Sequence, residues 1–283
     1  MHRFQTRHGI ISLLTAIALG CGGGGGTDEV DEENAARTEG GEVIAGAAGA
    51  LNVEAHNHWL AAQRLYVQNA EAGWNEQRCS ATRAAFEEAV EAQGNFAEAI
   101  YMSGLVAEDC GDTSAARGHY TRALQVAEEA RRGQEGNPPG NGPLCKARVA
   151  LGLLDQAAGN RGPAQQAFQR SIREDPQCTS GYVNLAITQR EAGGAQVTEA
   201  LRNLRRALAI ESDYLPAFNQ MALLHYQRGK GEGGAAALDL AEVVCRQAQL
   251  INRNYAPIYN TWGLVKIEQP SLKHIGSCRR THL

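Results

Sequence analysis

Aromatic residues are scarce in this sequence and make up only 6% of its 283 positions. Because β-sheets draw heavily on aromatic and β-branched side chains, a sheet-based core is not expected. Alanine is abundant instead. It has the highest helix propensity, and its small side chain lets helix backbones approach closely. The composition therefore predicts an all-α protein.

The sequence also has no excess of basic over acidic residues. The formal net charge is −4 at pH 7. Arg3 and Arg7 are the only charged residues among the first 20, so the remaining chain carries a net charge of −6. Proteins that bind nucleic acids usually present a basic face to the phosphate backbone. We therefore expect no nucleic-acid partner.

Sequence signatures of catalysis are lacking as well. No His-Glu-x-x-His or Gly-x-Ser-x-Gly segment occurs. The Gly229–Gly234 stretch lacks the Ser or Thr after Lys230, and the preceding strand, that a phosphate-binding loop needs. His56 and His58 are two residues apart and would point to different sides of a helix, which does not suit a metal ion. We expect no enzymatic activity, no cofactor, no metal and no small-molecule substrate.

The N-terminus has the pattern of a secretory signal. Arg3 and Arg7 precede an apolar run, Ile10 to Leu19, which is too short to span a bilayer. The run ends in Ala18-Leu-Gly-Cys21, which resembles the lipobox of bacterial lipoproteins. That resemblance implies a signal peptide over 1–20 and a lipidated Cys21, and Gly22 after it favours the outer membrane, facing the periplasm. The alternative is an ordinary cleaved signal with an incidental cysteine.

The next segment, 21–52, has the composition of a flexible tether. Five consecutive glycines, Gly22–Gly26, hold no fixed conformation at low cost. From Thr27 to Glu42 the chain carries seven acids against a single base, Arg37. Such a segment cannot bury enough apolar surface to become ordered. We expect it to hold the folded part away from the membrane.

A repeated pattern begins after this tether. Cys145–Gln177 shows it most completely, with small residues, an aromatic and a proline at fixed spacing: Gly152, Gly159, Ala164, Phe168, Ser171 and Pro176. The same spacing recurs from Gly104. It also recurs from Ala186 after a two-residue insertion, and from Ala222 after a longer, Gly-rich insertion. A divergent unit precedes them from Trp59, and an incomplete one starts at Tyr259.

This pattern resembles the tetratricopeptide repeat (TPR), a 34-residue helix-turn-helix unit. The resemblance implies an all-α TPR helix-turn-helix solenoid of about five to six repeats over 53–268. Loop insertions are expected at 131–144 and 229–235, because glycines and prolines there break helices. After Pro270 the pattern fails, so 269–283 is expected to be an irregular C-terminal tail.

The TPR resemblance also implies a groove lined by the first helix of each repeat. An apolar groove with a few polar groups suits an amphipathic helix or an extended peptide. Equally, part of this stripe could pack against the neighbouring repeat. Some TPR domains bind a peptide carboxylate through Asn at a set groove position. That position holds an apolar residue here, so the activity is not carried over: Leu105, Leu153, Ile187 and Leu223. The expected groove residues are Tyr101, Leu105, Val149, Leu153, Val183, Ile187, Arg190, Asn219, Leu223, Tyr226 and Asn260.

Six cysteines remain besides Cys21, and an exported chain meets an oxidising compartment. The repeat frame places Cys79 and Cys110 at one end of the helix stack, and Cys145 and Cys178 at the other. We therefore expect the disulfides Cys79–Cys110 and Cys145–Cys178. Cys245 falls at a core position and is expected to be a reduced thiol. Six buried free thiols are the alternative.

The expected function is that of a lipid-anchored scaffold which binds other envelope proteins through the TPR groove. The layout resembles TPR lipoproteins of gliding-motility or secretion-associated envelope machinery. The alternative is a helical-repeat accessory protein or enzyme of cell-wall metabolism. Lytic enzymes of that kind usually carry a catalytic domain outside the repeats, and no remaining segment is large enough for one.

Overall fold

A computed structural model describes residues 44–46, 49–132, 142–231 and 233–279, with side chains over 52–132, 142–231 and 233–269. The expected signal peptide, Cys21 and the acidic stretch lie outside these residues. At the start of the described part, two short antiparallel strands form a hairpin, β1 (Ile44–Gly46) and β2 (Gly49–Leu51). This differs from the fully flexible tether expected over 21–52. The hairpin lies beyond the acidic stretch, where uncharged residues allow strand pairing.

The first of two compact units extends to Pro176 and contains six helices in its described part. They form three antiparallel pairs, α1 with α2, α3 with α4, and α5 with α6. Their bounds are α1 Val53–Ala72, α2 Glu76–Ala92, α3 Ala97–Asp109, α4 Thr113–Arg132, α5 Pro143–Ala157 and α6 Arg161–Glu174.

The second unit begins at Gln177 and contains five helices in its described part. Two antiparallel pairs, α7 with α8 and α9 with α10, are followed by the single helix α11. Their bounds are α7 Thr179–Ala192, α8 Gln196–Ile210, α9 Leu215–Gly229, α10 Gly234–Ile251 and α11 Ala256–Arg279.

Local signals set where these helices begin and reverse. The side chains of Asn52 and Asn75 cap α1 and α2 by accepting hydrogen bonds from the backbone N–H groups of Ala55 and Arg78. Gly111 and Gly159 lie in the turns that join α3 to α4 and α5 to α6. Their φ angles of 84° and 83° are in the left-handed region that favours glycine. The chain therefore reverses direction at the positions where the repeat pattern has its turn glycine.

In some pairs a small residue of one helix lies in close contact with a large residue of the other. In the α5–α6 pair, a Cβ atom added to Gly152 would lie 2.6 Å from the Phe168 ring. Phe168 is fully buried, as is Ala164 one turn earlier on α6. Since no larger side chain than glycine fits opposite the ring, the two helix backbones pack closely. The predicted all-α helix-turn-helix architecture is confirmed.

Three boundaries differ from the expectations. Within the loop insertion expected at 229–235, Gly229 is the last residue of α9 and residues 234–235 begin α10. Residues 131–132 and 143–144, expected in a loop insertion, are helical, and 133–141 lie outside the described residues. Helix α11 continues past Pro270 to Arg279, where an irregular tail was expected. A proline removes one backbone hydrogen bond and adds one steric clash, so the turns before and after it can remain helical. No helix in the described ranges is long and apolar enough to cross a membrane.

Candidate functional site

The first helices of successive repeats lie side by side within each unit, as a groove requires. Helix α3 contacts α5 in the first unit, and α9 contacts both α7 and α11 in the second. The expected groove residues lie on these five helices. Whether each can meet a ligand depends on how far the neighbouring helices cover it.

In the first unit two of the four expected groove residues are covered. Leu105 and Val149 are each only 5% exposed. Leu105 lies in a core cluster with Tyr66 and Phe86, so it stabilises the repeat instead of facing a ligand. The side chains of Tyr101 and Leu153 are half-buried.

The second unit keeps more of its expected groove open. Val183 is 3% exposed and packs in a core cluster with Ala200 and Leu204. In contrast, Asn260 is exposed. The remaining expected residues are half-buried: Ile187, Arg190, Asn219, Leu223 and Tyr226.

Arg190, near the C-terminal end of α7, has an unusual environment for an arginine. Its side chain is only 13% exposed, and its ion-pair partner Glu191 lies at 3.8 Å, close to the limit for such a contact. Its Nε atom is buried and has no hydrogen-bond partner in the part of the chain that the structure describes. Burial lowers the pKa of Arg190, and Glu191 counteracts this shift. An arginine stays protonated in a protein, so this site holds a poorly compensated positive charge.

Asn219 and Tyr226 place polar groups on the neighbouring helix α9. The Thr261 hydroxyl of α11 donates a hydrogen bond of 2.7 Å to Asn219 Oδ1. This bond fixes the orientation of the Asn219 carboxamide. Tyr226 packs at the edge of a core cluster, and the Lys230 ammonium lies 5.7 Å from the centre of its ring. The arrangement can bind a peptide by apolar contact, one amide donor and one cation.

A second group of polar side chains, which the sequence did not reveal, lies in the first unit. Two neighbouring acids at the end of α3 each accept a hydrogen bond from a buried tyrosine. Tyr66 of α1 donates to Asp109, and Tyr120 of α4 donates to Glu108 at 2.7 Å. Burial raises the pKa of both phenols and also that of Glu108. Because each hydroxyl is already bonded to an acid, we assign this group to the stability of the repeat.

The described cysteines are of two kinds, disulfide-bonded and free. A disulfide joins Cys79 of α2 to Cys110, directly after Asp109, with a Cα–Cα distance of 6.0 Å. Cys145 and Cys178 are also in the disulfide form. Cys245 is a buried free thiol, and burial raises its pKa to about 12.

No metal site can be assembled from the described side chains, among which no group of three potential ligands comes together. His58 Nδ1 lies 3.1 Å from Glu88. His56 Nδ1 is buried without a hydrogen-bond partner among the described residues. The two histidines thus have different surroundings and do not form a common site.

Comparison with known proteins identifies the fold. Neither a protein-family model nor a curated protein matches the chain. Among solved structures, a thermophilic TPR protein from Thermus thermophilus has a TM-score of 0.51 and 17% identity, covering 75% of this chain and 99% of that one. PilW, a widely conserved type IV pilus biogenesis factor, has a TM-score of 0.50 and 15% identity, covering 79% and 94%. The helix pairs are therefore TPR-type repeats.

Proposed function

We propose that this protein is a lipid-anchored, non-enzymatic scaffold of a bacterial envelope complex, and that it binds a peptide segment of another envelope protein on the α7–α9 face. We define this face by Ile187, Arg190, Asn219, Leu223 and Tyr226. The buried and poorly compensated charge of Arg190 is the observation that carries the proposal. A cation held in this way attracts a carboxylate, because a charge-assisted hydrogen bond is stronger where water is largely excluded.

The neighbouring side chains define the rest of the ligand. Ile187 and Leu223 offer apolar surface, and the Asn219 Nδ2 can donate to a peptide carbonyl. A segment with one or two apolar side chains and a carboxylate near them fits these groups. The carboxylate can belong to an acidic side chain or to a C-terminus. Some TPR domains bind a peptide carboxylate through asparagines at set groove positions, and those positions hold apolar residues here. In this protein the Arg190 guanidinium binds the carboxylate instead.

The envelope location has separate support. It depends on the resemblance of Ala18-Leu-Gly-Cys21 to a lipobox, since similarity to solved TPR structures speaks only for the fold. Gliding-motility or secretion-associated machinery is the setting that the layout of leader, tether and repeats suggests. A scaffold without enzymatic activity should release no soluble fragments when it is incubated with purified cell wall, whereas an enzyme of cell-wall metabolism should release them.

Peptide binding tests the proposal on the α7–α9 face. The probe is an array of short peptides with apolar residues and one acid, each made with a free C-terminus and with a C-terminal amide. Binders are then titrated against the purified protein by fluorescence anisotropy. We expect R190Q to weaken binding by about 10- to 100-fold, because a hydrogen bond to a charged group contributes about 1.5–3 kcal/mol.

An exposed arginine of the same unit provides the control. Arg206 lies on the outer face of α8, where it is exposed. The variant R206Q should bind the peptides as the unsubstituted protein does. Equal weakening by R190Q and R206Q would mean that only the overall charge matters. Unchanged binding by R190Q would contradict the proposed site.

A further inference from the structure

A cavity of about 360 Å³ lies in the first unit, between the second helix of one repeat and both helices of the next. Cavities of this size are typical of sites that bind small molecules. Helix α3 packs against both α2 and α4, and all three helices contribute side chains to the cavity wall. The cavity therefore belongs to the helix packing of a single unit.

The floor of the cavity is fixed and mostly apolar. Ile100 and Ser103 of α3 are buried. Ile100 shares a core cluster with Ala123 of α4, and Val90 of α2 packs against that cluster. The Ser103 hydroxyl donates a hydrogen bond of 3.1 Å to the Ala99 carbonyl oxygen, so its own oxygen can still accept one. The floor thus offers apolar surface and one hydrogen-bond acceptor.

Helix α2 gives the cavity an acidic side. Glu87 and Glu91 line it, and they lie one helical turn apart on the same face, where their charges repel each other. Both are exposed, and neither forms an ion pair with a described side chain. Glu88, in contrast, contacts His58 of α1 at 3.1 Å. The cavity therefore has two carboxylates that no described cation neutralises by direct contact.

Helix α4 gives the cavity a basic side. The Arg122 guanidinium donates to the Gly94 carbonyl oxygen at 3.5 Å, and among the described residues it forms no ion pair. His119 lies one turn earlier on α4. Burial lowers its pKa, Glu87 raises it, and Arg83 and Arg122 lower it further. The His119 imidazole is thus within electrostatic range of charged groups from both sides of the cavity.

Opposite charges that line one cavity without pairing are complementary to a ligand that carries both charges. We propose that this cavity binds a small zwitterion, an apolar amino acid or a dipeptide. Its ammonium group lies at Glu87 and Glu91, its carboxylate at Arg122, and its apolar side chain on Val90 and Ile100. Such charge-assisted hydrogen bonds are stronger than neutral ones, and the ammonium relieves the repulsion between the two acids.

This site is distinct from the α7–α9 face, and it does not depend on the function proposed above. The expectation of no small-molecule substrate came from the lack of catalytic motifs, and a ligand that is bound but not converted leaves no such motif. No sequence spacing marks the site either, because its residues come from three separate helices.

Calorimetric titration of the purified, intact protein tests the class of ligand. The probes are leucine and glycyl-leucine, each compared with an N-acetylated form that lacks the ammonium and with an amide that lacks the carboxylate. We expect saturable binding of at least one zwitterion, and the tighter of the two identifies the occupant as an amino acid or a dipeptide. Both blocked forms should bind about tenfold more weakly or worse, because each loses hydrogen bonds between charged groups.

Two results of this titration would overturn the proposal. One is equal binding of a zwitterion and either of its blocked forms, since the cavity would then recognise only a single charge. The other is the lack of saturable binding of both zwitterions up to about 10 mM.

Variants of the protein locate the binding site. Glu91 and Arg122 are exposed, so E91Q and R122Q should keep the fold, and each should weaken binding of the zwitterion by about tenfold or more. The matched controls are E88Q on α2 and R132Q on α4, which replace exposed residues outside the cavity and should leave binding unchanged. The N-acetylated probe should bind E91Q and the unsubstituted protein equally, because it has no ammonium to lose. Equal affinities of E91Q and E88Q, or of R122Q and R132Q, for the zwitterion would contradict the proposal.

Discussion

Tyr120 lies so close to Gly104 that a Cβ atom on the glycine would come within 2.6 Å of two carbons of the ring. The ring cannot move aside easily, because it is fully buried and its hydroxyl is bonded to Glu108 at 2.7 Å. Gly104 is therefore required by packing, although it lies in the middle of a helix, where glycine is normally unfavourable.

Replacing this glycine should destabilise the protein. We expect Gly104→Ala to lower the free energy of unfolding by about 1–3 kcal/mol, the usual effect of overpacking a tightly filled core. Gly118→Ala, on α4, is the control because an added Cβ there meets open space among the described residues. It should raise stability by about 0.5–1 kcal/mol, since alanine favours helix. Urea unfolding followed by circular dichroism measures both, and a stable Gly104→Ala protein would show that the ring can shift.

This contact was predictable from the sequence because its two partners keep a fixed spacing within one repeat. A small residue sixteen positions before an aromatic recurs at Gly104 and Tyr120 and at Gly152 and Phe168. Helix geometry and a short turn then bring the two together without reference to distant parts of the chain. The helix pairs were predictable from the same local pattern.

The candidate site was only partly predictable. Leu105, Val149 and Val183 lie on the expected helix face, yet neighbouring helices cover all three. How much of a face remains open depends on the rotation of one repeat on the next, which no single repeat encodes. The bond between Tyr66 and Asp109 joins residues 43 positions apart. Such a pair has no signature in sequence spacing.

Glu242 of α10 joins the last two helices through three bonded partners. Its carboxylate accepts hydrogen bonds from Lys266 at 2.7 Å, from Gln269 at 2.8 Å and from Arg246 at 2.5 Å. The bonds from Lys266 and Gln269 are the main causes that lower the pKa of Glu242 to about 2 from its ordinary value of 4.5. The charged carboxylate is thus favoured in the folded state.

The sign of this shift predicts a loss of stability in acid. A carboxyl group whose pKa is lower in the folded state stabilises the protein above pH 4.5, and this contribution disappears as the pH falls towards 2. We expect E242Q to lose about 1 kcal/mol at pH 7, a modest value because its cationic partners are half exposed and screened. The loss should vanish near pH 2. Thermal unfolding across this pH range measures it.

The exposed pair of Glu199 and Arg202 on α8 gives a matched comparison. Their side chains are 45% and 69% exposed, with a contact of 2.7 Å. Because an exposed ion pair contributes little, E199Q should change stability less than E242Q at pH 7. If both variants were equally stable at every pH, the bonds around Glu242 would have no energetic role.

Attachment to the membrane should depend on Cys21. If the resemblance of Ala18-Leu-Gly-Cys21 to a lipobox is functional, acyl chains on this cysteine hold the protein at the envelope membrane. Each buried CH₂ group contributes about 0.8 kcal/mol, so more than one chain gives stable attachment. We expect Cys21→Ser to move the protein from the membrane fraction to the soluble fraction of envelopes. Cys245→Ser is the control and should stay with membranes, whereas retention of Cys21→Ser would refute the anchor.

In protein purified from an oxidising compartment, the cysteines should fall into two classes, those in disulfides and those that are reduced. Cys79 and Cys110 enclose a loop with a sequence separation of 31, and closing such a loop stabilises the fold by roughly 3–4 kcal/mol in the chain-entropy model. The variant with serine at both positions should therefore unfold at lower urea concentration. Reductant should destabilise the unsubstituted protein more than this variant, since one cross-link is already absent from the latter.

Cys245 should remain a reduced and unreactive thiol, unlike the disulfide-bonded Cys79 and Cys110. Its thiol is fully buried, and burial raises its pKa to about 12, so little reactive thiolate forms at neutral pH. We expect alkylation of Cys245 only after unfolding and without reductant, while Cys79 and Cys110 require reductant as well. Peptide mapping under non-reducing conditions reads out all three and also identifies the partners of Cys145 and Cys178. If Cys79 and Cys110 were alkylated in unfolded, unreduced protein, the disulfide and its stabilising effect would be excluded.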